Sequence, residues 1–267
     1  MPSLYPPYVP AAAPPGARAG SVVGATAAFF VGLTIAAIFA VRFPLAGGVP
    51  LCVLAPAWIL ATGRVESFAR LKLATLIVGR SLVPFAVIGV IGGGAVETIV
   101  MWLYRLNICE AVGEDARKGR YANALAGTAV VVSTAWMHIH WLGDAYVIEP
   151  GPFLCAAIAY TLWNWNFVAG NFSPAVAMLH VATLAAPLFC GLAGGNMGYW
   201  LITRATSLTV SVVLLGAIPK QLEQWLDHEQ HLRWRSVLVA PKTQAALSAL
   251  TIAFAVASVV LPKLHAP

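Results

Sequence analysis

An isolated carboxylate, Glu97, and an isolated guanidinium, Arg204, each sit within a long apolar run of this chain. A charged side chain at the centre of a helix in hydrocarbon costs on the order of 2.5 to 3.5 kcal/mol, so such groups face a protein interior and find partners there. Arg204 is the only charge between Gly194 and Ile218 and lies close to the middle of that run. It calls for a carboxylate, a carbonyl or the anion of a ligand. Glu97 is its one obvious counter-ion within the apolar runs. Two readings follow: a pair that locks two helices together, or the charged part of a solute site. Glu97 is also only about two helical turns from Arg105, so a tilted segment would bring it to the lipid headgroups, and Arg204 can snorkel toward an interface.

The stretch YTLWNWNFVAGNFSP, residues 160 to 174, is the most polar and aromatic part of any apolar run. Asn164 and Asn171 share one helical face, and Asn166 and Ser173 another. Asparagine in hydrocarbon must find partners, so this helix is expected at the centre, with His180 about two turns beyond the break at Ser173 and Pro174. A cavity lined by Glu97, Asn164, Asn171, His180 and Arg204 is the expected substrate-binding site. The same residues would also serve plain hydrogen bonding between helices.

A second chemistry is metal binding. AWMHIHWLGD, residues 135 to 144, carries His138 and His140 between Trp136 and Trp141. Residues two apart point away from each other on a helix, so the pair can serve one metal ion only where the helix ends or unwinds; otherwise the histidines belong to an interfacial aromatic belt. Two charged loops offer carboxylate pairs to Mg²⁺, Glu110 with Glu114 and Glu223 with Asp227, and nearby arginines suited to phosphate. The Asp-rich spacings of membrane prenyl- and phosphatidyl-transferases are missing, which favours solvated loops lying on headgroups. The identity of any cofactor is left open by these motifs. Cys52, Cys109, Cys155 and Cys190 are scattered singly, without the spacing of a zinc or redox motif. Gly191 with Gly195 and Gly194 with Gly198 have the spacing of close helix packing, compatible with a homo-oligomer.

The elements that must position these residues are set by composition. Of the 267 residues 60% are hydrophobic and 10% charged, against about 25% charged in a soluble domain. The expected fold is an all-α polytopic integral membrane bundle of seven or eight transmembrane helices. Its segments are 21 to 41, 45 to 62, 81 to 104, 124 to 143, 152 to 170, 174 to 194, 197 to 218 and 243 to 262, at about 20 residues per crossing. Residues 1 to 19, rich in Pro and Ala, are expected to form a disordered tail before a single transmembrane domain over 20 to 267. The formal net charge of +6 arises from Lys and Arg at segment ends, which points to anionic lipid headgroups and not to nucleic acid. Pro44, Pro50 and Pro56 predict a broken second segment.

Loops 64 to 72, 105 to 120 and 220 to 242 hold several basic residues and should be cytoplasmic, whereas 144 to 151, with Asp144 and Glu149, should lie opposite. One conflict follows. If 73 to 104 crosses once, as a kinked helix, Arg64, Arg70 and Lys72 fall on the wrong side. A hairpin turning at Gly89, Gly92, Gly93 and Gly94 would remove the conflict, but the single kinked crossing is the expectation. Function is then read as a transporter or channel-like protein for a small polar or anionic solute, in a bacterial inner (plasma) membrane. Membrane lipids and a small-molecule or lipid substrate are the expected partners. The alternatives are a membrane-embedded enzyme acting on a lipid or isoprenoid and a non-catalytic subunit of a membrane complex.

Overall fold

The computed structural model describes residues 19–62, 67–148, 153–226, 237 and 240–264. The tail before residue 19, Arg64, Glu149, and Asp227 with the basic stretch after it lie outside the described residues. Among the described residues five helices are long and apolar enough to cross a membrane: Val23–Arg42, Pro44–Ala61, Pro174–Ala193, Met197–Ala217 and Pro241–Pro262.

The chain opens with α1 (Ala19–Arg42) and turns at Phe43 into α2 (Pro44–Ala61). Prolines break α2 as expected. Pro44 and Pro50 each open a wide π-type turn, closed by Val49 N–H donating to the Pro44 carbonyl and Ala55 N–H to that of Pro50, before ordinary helix resumes over Ala55–Ala61. A ring without an N–H cannot continue the i to i−4 ladder, and the wider turn satisfies the freed carbonyls.

The run 73 to 104 is not a single kinked crossing. It is divided between α3 (Ser67–Val87) and α4 (Gly93–Arg117). Gly89 supplies the left-handed turn at φ 76°, a conformation that favours glycine. Asn107 Nδ2 donates to Thr75 Oγ1 at 3.2 Å, and Gly79 packs on Leu103, so the two helices run antiparallel. Their basic flanks therefore share one end of the bundle, which removes the charge conflict.

The segment 124 to 143 is also corrected. Helix α5 (Tyr121–Ser133) stops after 13 residues. After one tight turn the chain runs extended into a hairpin, β1 (Ile139–Leu142) paired with β2 (Ala145–Ile148) in the register Ile139↔Ile148 to Leu142↔Ala145. The fold is thus helical, as expected, with this one hairpin as its exception among the described residues. Ser133, Thr134 and a Gly143–Asp144 turn, with Gly143 at φ 60°, end the helix and suit a two-residue hairpin. Arg105 holds the switch point: its Nε donates to Thr134 Oγ1 at 2.8 Å and its Nη2 to the Thr134 carbonyl at 3.0 Å. All four residues of β2 are buried, because the hairpin folds into the bundle against the chain before α8, where Gly198 meets Val147 and Ile148.

Four helices complete the bundle: α6 (Phe153–Asn171), α7 (Pro174–Ala193), α8 (Trp200–Ala217) and, after the short amphipathic α9 (Pro219–Leu226), α10 (Pro241–Leu264). Neighbouring elements alternate in direction. One end, the basic end, gathers Lys72, Arg117, Lys118, Arg120, Lys220 and Lys242; the other carries the hairpin turn. Single cysteines placed at Arg117 and at Asp144 in a Cys109→Ala background should therefore react with a membrane-impermeant thiol reagent from opposite sides. Labelling of both from one side would overturn this alternation.

The core between α4, α5, α6 and α8 is aromatic. Tyr160 stands edge-on to Trp200 with centroids 5.1 Å apart and to Trp163 at 5.6 Å, and Gly127 admits Trp163 against α5, where a Cβ would come within 2.8 Å of Cε2.

Candidate functional site

Helices α6 and α7 are joined by Phe172 and Ser173 alone, with Ser173 Oγ accepting from Val176 N–H at 3.4 Å as the cap of α7. That tight reversal puts residues at equal distances on either side of it level with one another. Asn164, two turns before the break, therefore meets His180, two turns after it. His180 Nε2 and Asn164 Oδ1 are 2.7 Å apart. From α8, Arg204 Nη2 donates to the same oxygen at 3.1 Å and lies 3.2 Å from His180 Nε2. A guanidinium only donates. One consistent assignment has the His180 Nε2–H and Arg204 Nη2–H both donating to Asn164 Oδ1, with the ring nitrogen and the guanidinium merely adjacent.

The remaining nitrogens of Arg204 decide the character of the site. Arg204 is 2% exposed, and Nε and Nη1 meet no acceptor among the described residues. No carboxylate among the described residues makes an ion pair with it; the three ion pairs there, Glu114 with Arg117 and with Lys118 and Asp115 with Arg120, all stand at the basic end of α4. Tyr160 offers its ring face, 5.6 Å from the guanidinium carbon. Buried charge without a counter-ion is expensive and is normally neutralised by a partner.

Arg204 also borders a cavity of about 410 Å³, within the range of about 300 to 1,000 Å³ usual for small-ligand sites. Its wall runs from Lys72, Leu222 and Glu223 at the basic end to Asn164, His180 and Arg204 at its floor. Lys72 lies near Glu110 and over the Phe167 ring, 5.9 Å from its centroid. A seam of small hydroxyls holds α7 to α8 beside the cavity: Ser207 Oγ donates to the Thr183 carbonyl at 2.8 Å, and Thr183 Oγ1 and Ser211 Oγ are 2.6 Å apart.

Of the five residues expected to line one site, the structure brings together Asn164, His180 and Arg204 and places the other two elsewhere. Glu97 lies in the first turns of α4 at the hairpin end, where Oε1 accepts from Trp141 N–H at 2.8 Å. It pins the hairpin to α4 and is not the counter-ion of Arg204. Glu97→Gln keeps that acceptor, so solute binding and its pH dependence should stay within about twofold of wild type; a larger change would return Glu97 to the site.

Asn171 stands at the basic end of α6, two turns past Asn164, in a separate polar knot. Its Nδ2 donates to Asp115 Oδ1 at 3.1 Å while its Oδ1 accepts from Lys118 Nζ at 2.8 Å. Asn166 faces α10, near Ser248 at 3.4 Å.

The metal expectation gains one condition and lacks another. The helix has unwound before His138, so His138 and His140 do point to one side of an extended chain. His138 is exposed and His140 half-buried, while His180 is engaged with Asn164. Among the described residues no group of three or more His, Cys, Asp or Glu side chains gathers. In the acidic loops Glu114 is taken up by Arg117 and Lys118.

Three residues that matter were missed by the sequence reading: Arg80, buried at 2%, Tyr146 on β2, and Tyr160 under Arg204. Arg80 carried a usable signal, since with Glu97 it is one of only two charges from Leu73 to Tyr104. No family model, no curated protein and no solved structure matches the chain.

Proposed function

We propose that the protein is a polytopic membrane transporter or channel-like protein for a small anion, with Arg204 at the floor of the basic-end cavity as the solute-binding group. The observation that carries this reading is the pair of buried nitrogens, Nε and Nη1 of Arg204, that no acceptor among the described residues meets. A guanidinium fork with two free donors in a low-dielectric pocket is a receptor for an anion, and charge-assisted hydrogen bonds there are roughly twice as strong as neutral ones. Lys72 at the cavity wall adds positive potential that draws anions inward. Asn164, itself held by His180, fixes the guanidinium through Nη2 and leaves the other donors for solute.

The helices beyond the five most apolar ones carry their charges inward or at their ends, which suits further crossings of the same bilayer. Basic loops gathered at one end support a reading in which that end faces the cytoplasm of a bacterial-type inner membrane, so the cavity would fill from the cytoplasm.

The test is chloride, nitrate and phosphate flux in proteoliposomes of phosphatidylcholine, with thermal unfolding of the purified protein in the same salts. Electrogenic anion flux, and a higher unfolding midpoint with anion, are expected. Stabilisation by phosphatidylglycerol alone, without flux of any free anion, would make the pocket a headgroup site and overturn the reading.

A further inference from the structure

Arg204 borders two cavities. The second is a smaller one of about 70 Å³, against about 30 Å³ for one water molecule's share of the liquid. Arg80, Tyr146, Tyr104, Tyr160 and Asn107 line it together with Arg204. Arg80 repeats the chemistry of Arg204. It is 2% exposed, its Nε and Nη1 meet no acceptor among the described residues, and no carboxylate among them makes an ion pair with it. Its neighbours are the Tyr146 hydroxyl and the Cys52 thiol, both able to donate to an anion.

Two buried guanidiniums lining one cavity, neither with an ion-pair partner among the described residues, are hard to explain by packing, because each alone carries the full cost of burial without a counter-charge. We infer that Arg80, with Tyr146 and Cys52, is a second anion-binding site in series with Arg204, sized for a halide or an inorganic anion of similar bulk. An anion leaving Arg204 for the smaller cavity passes Tyr160 and is received by Arg80. Tyr146, fixed on the buried strand β2, closes the way beyond, so the hairpin forms the outer barrier. The width of the inner cavity, not that of the larger one, then sets selectivity. Conduction through such a pair needs each site to be weak enough to release its ion, which two adjacent sites provide by mutual repulsion.

This inference rests on the reading of Arg204 as an anion site, and the experiment separates the two. Proteoliposomes loaded with radioactive chloride are placed in external bromide, nitrate or gluconate, for wild type, Arg80→Gln, Arg80→Lys and Arg204→Gln. Exchange with bromide and nitrate but not gluconate is expected. Arg80→Gln should lower exchange at least about tenfold, the order expected for losing a charge-assisted hydrogen bond, while bromide still raises its unfolding midpoint through Arg204. Arg80→Lys should restore exchange with a changed ranking of bromide against nitrate, which a purely structural Arg80 would not give. Arg80→Gln exchanging within twofold of wild type with an unchanged ranking would overturn the second site and leave the first standing. Wild type that neither exchanges chloride nor is stabilised by bromide would remove both. Should Arg80→Gln fail to fold, Tyr146→Phe decides: an altered ranking supports the site, and an unchanged one overturns it.

Discussion

Replacing Arg204 by methionine should abolish anion flux and leave the thermal stability of the protein equal to or above that of wild type. The two effects have opposite signs because Arg204 is held in the fold at a cost. The guanidinium is buried at 2% exposure with two nitrogens lacking an acceptor among the described residues, and an arginine at the centre of a membrane helix costs on the order of 2.5 to 3.5 kcal/mol. Methionine fills the same elongated space without that cost, and replacement of buried charges by apolar side chains is often neutral or stabilising by about 1 to 4 kcal/mol. The rest of the site survives the change, since the 2.7 Å contact between His180 and Asn164 does not need Arg204. Flux, however, loses two charge-assisted donors, each worth about 1.5 to 3 kcal/mol. At about 1.4 kcal/mol per factor of ten, the fall should be at least about a hundredfold. Chloride flux in proteoliposomes and the unfolding midpoint, measured on the same preparation, check both halves. Retained flux in a stable variant would take Arg204 out of the solute site. Lost stability with flux retained would make it a packing residue.

The elements legible in the sequence are those where bilayer length and apolar content coincide. α1, α7 and α10 run within two residues of the expected ends, and the Met197–Ala217 span within one. Two segments were not legible, for different reasons. Leu73 to Tyr104 is apolar on both sides of its glycines, so hydropathy cannot see the turn at Gly89; only the basic residues at 64 to 72 signalled that the chain had to come back.

Residues 124 to 143 are apolar enough for a crossing, yet the helix stops at Ser133 and the chain ends as a strand over Ile139–Leu142, its backbone satisfied by a strand partner and, at the switch, by Arg105. Hydropathy measures burial and not the hydrogen-bonding solution adopted. The candidate site divides in the same way. Asn164 and His180 flank one helical reversal, so sequence distance alone puts them level. Pairing Glu97 with Arg204 requires knowing which helices are neighbours, and the unforeseen hairpin claims Glu97.

Asp115 gives the second large effect, this time on stability. Its side chain is fully buried at the basic end of α4, accepting from Asn123 Nδ2 at 2.6 Å and Asn171 Nδ2 at 3.1 Å, with Arg120 Nη1 at 3.8 Å. It ties α4 to the start of α5 and the end of α6, and Arg120 also donates to the Gly170 carbonyl. Asp115→Ala removes the acceptor of Asn123 Nδ2, one of the two acceptors of Asn171 Nδ2 and the buried carboxylate beside Arg120, a loss of about 3 to 5 kcal/mol for a broken buried pair. Asp115→Asn should cost about 1 kcal/mol or less, because Asn123 Oδ1 has no partner. Turning the Asn123 amide lets it accept from the introduced Nδ2, while the oxygen of the introduced amide still accepts from Asn171.

Burial pushes the Asp115 carboxyl above its ordinary value, although the hydrogen bonds from Asn123 and Asn171 and the charges of Arg120 and Lys118 pull it down. A carboxyl raised on folding binds its proton more tightly in the folded state, so its contribution is complete below the unfolded carboxylate value and is lost as pH rises through the folded one. Wild type should therefore gain stability relative to Asp115→Asn as pH falls from neutral through that window. Equal pH profiles for the two proteins in thermal unfolding would show that the knot holds Asp115 at its ordinary value, and an Asp115→Ala protein as stable as wild type would show that the knot does not hold these helices together.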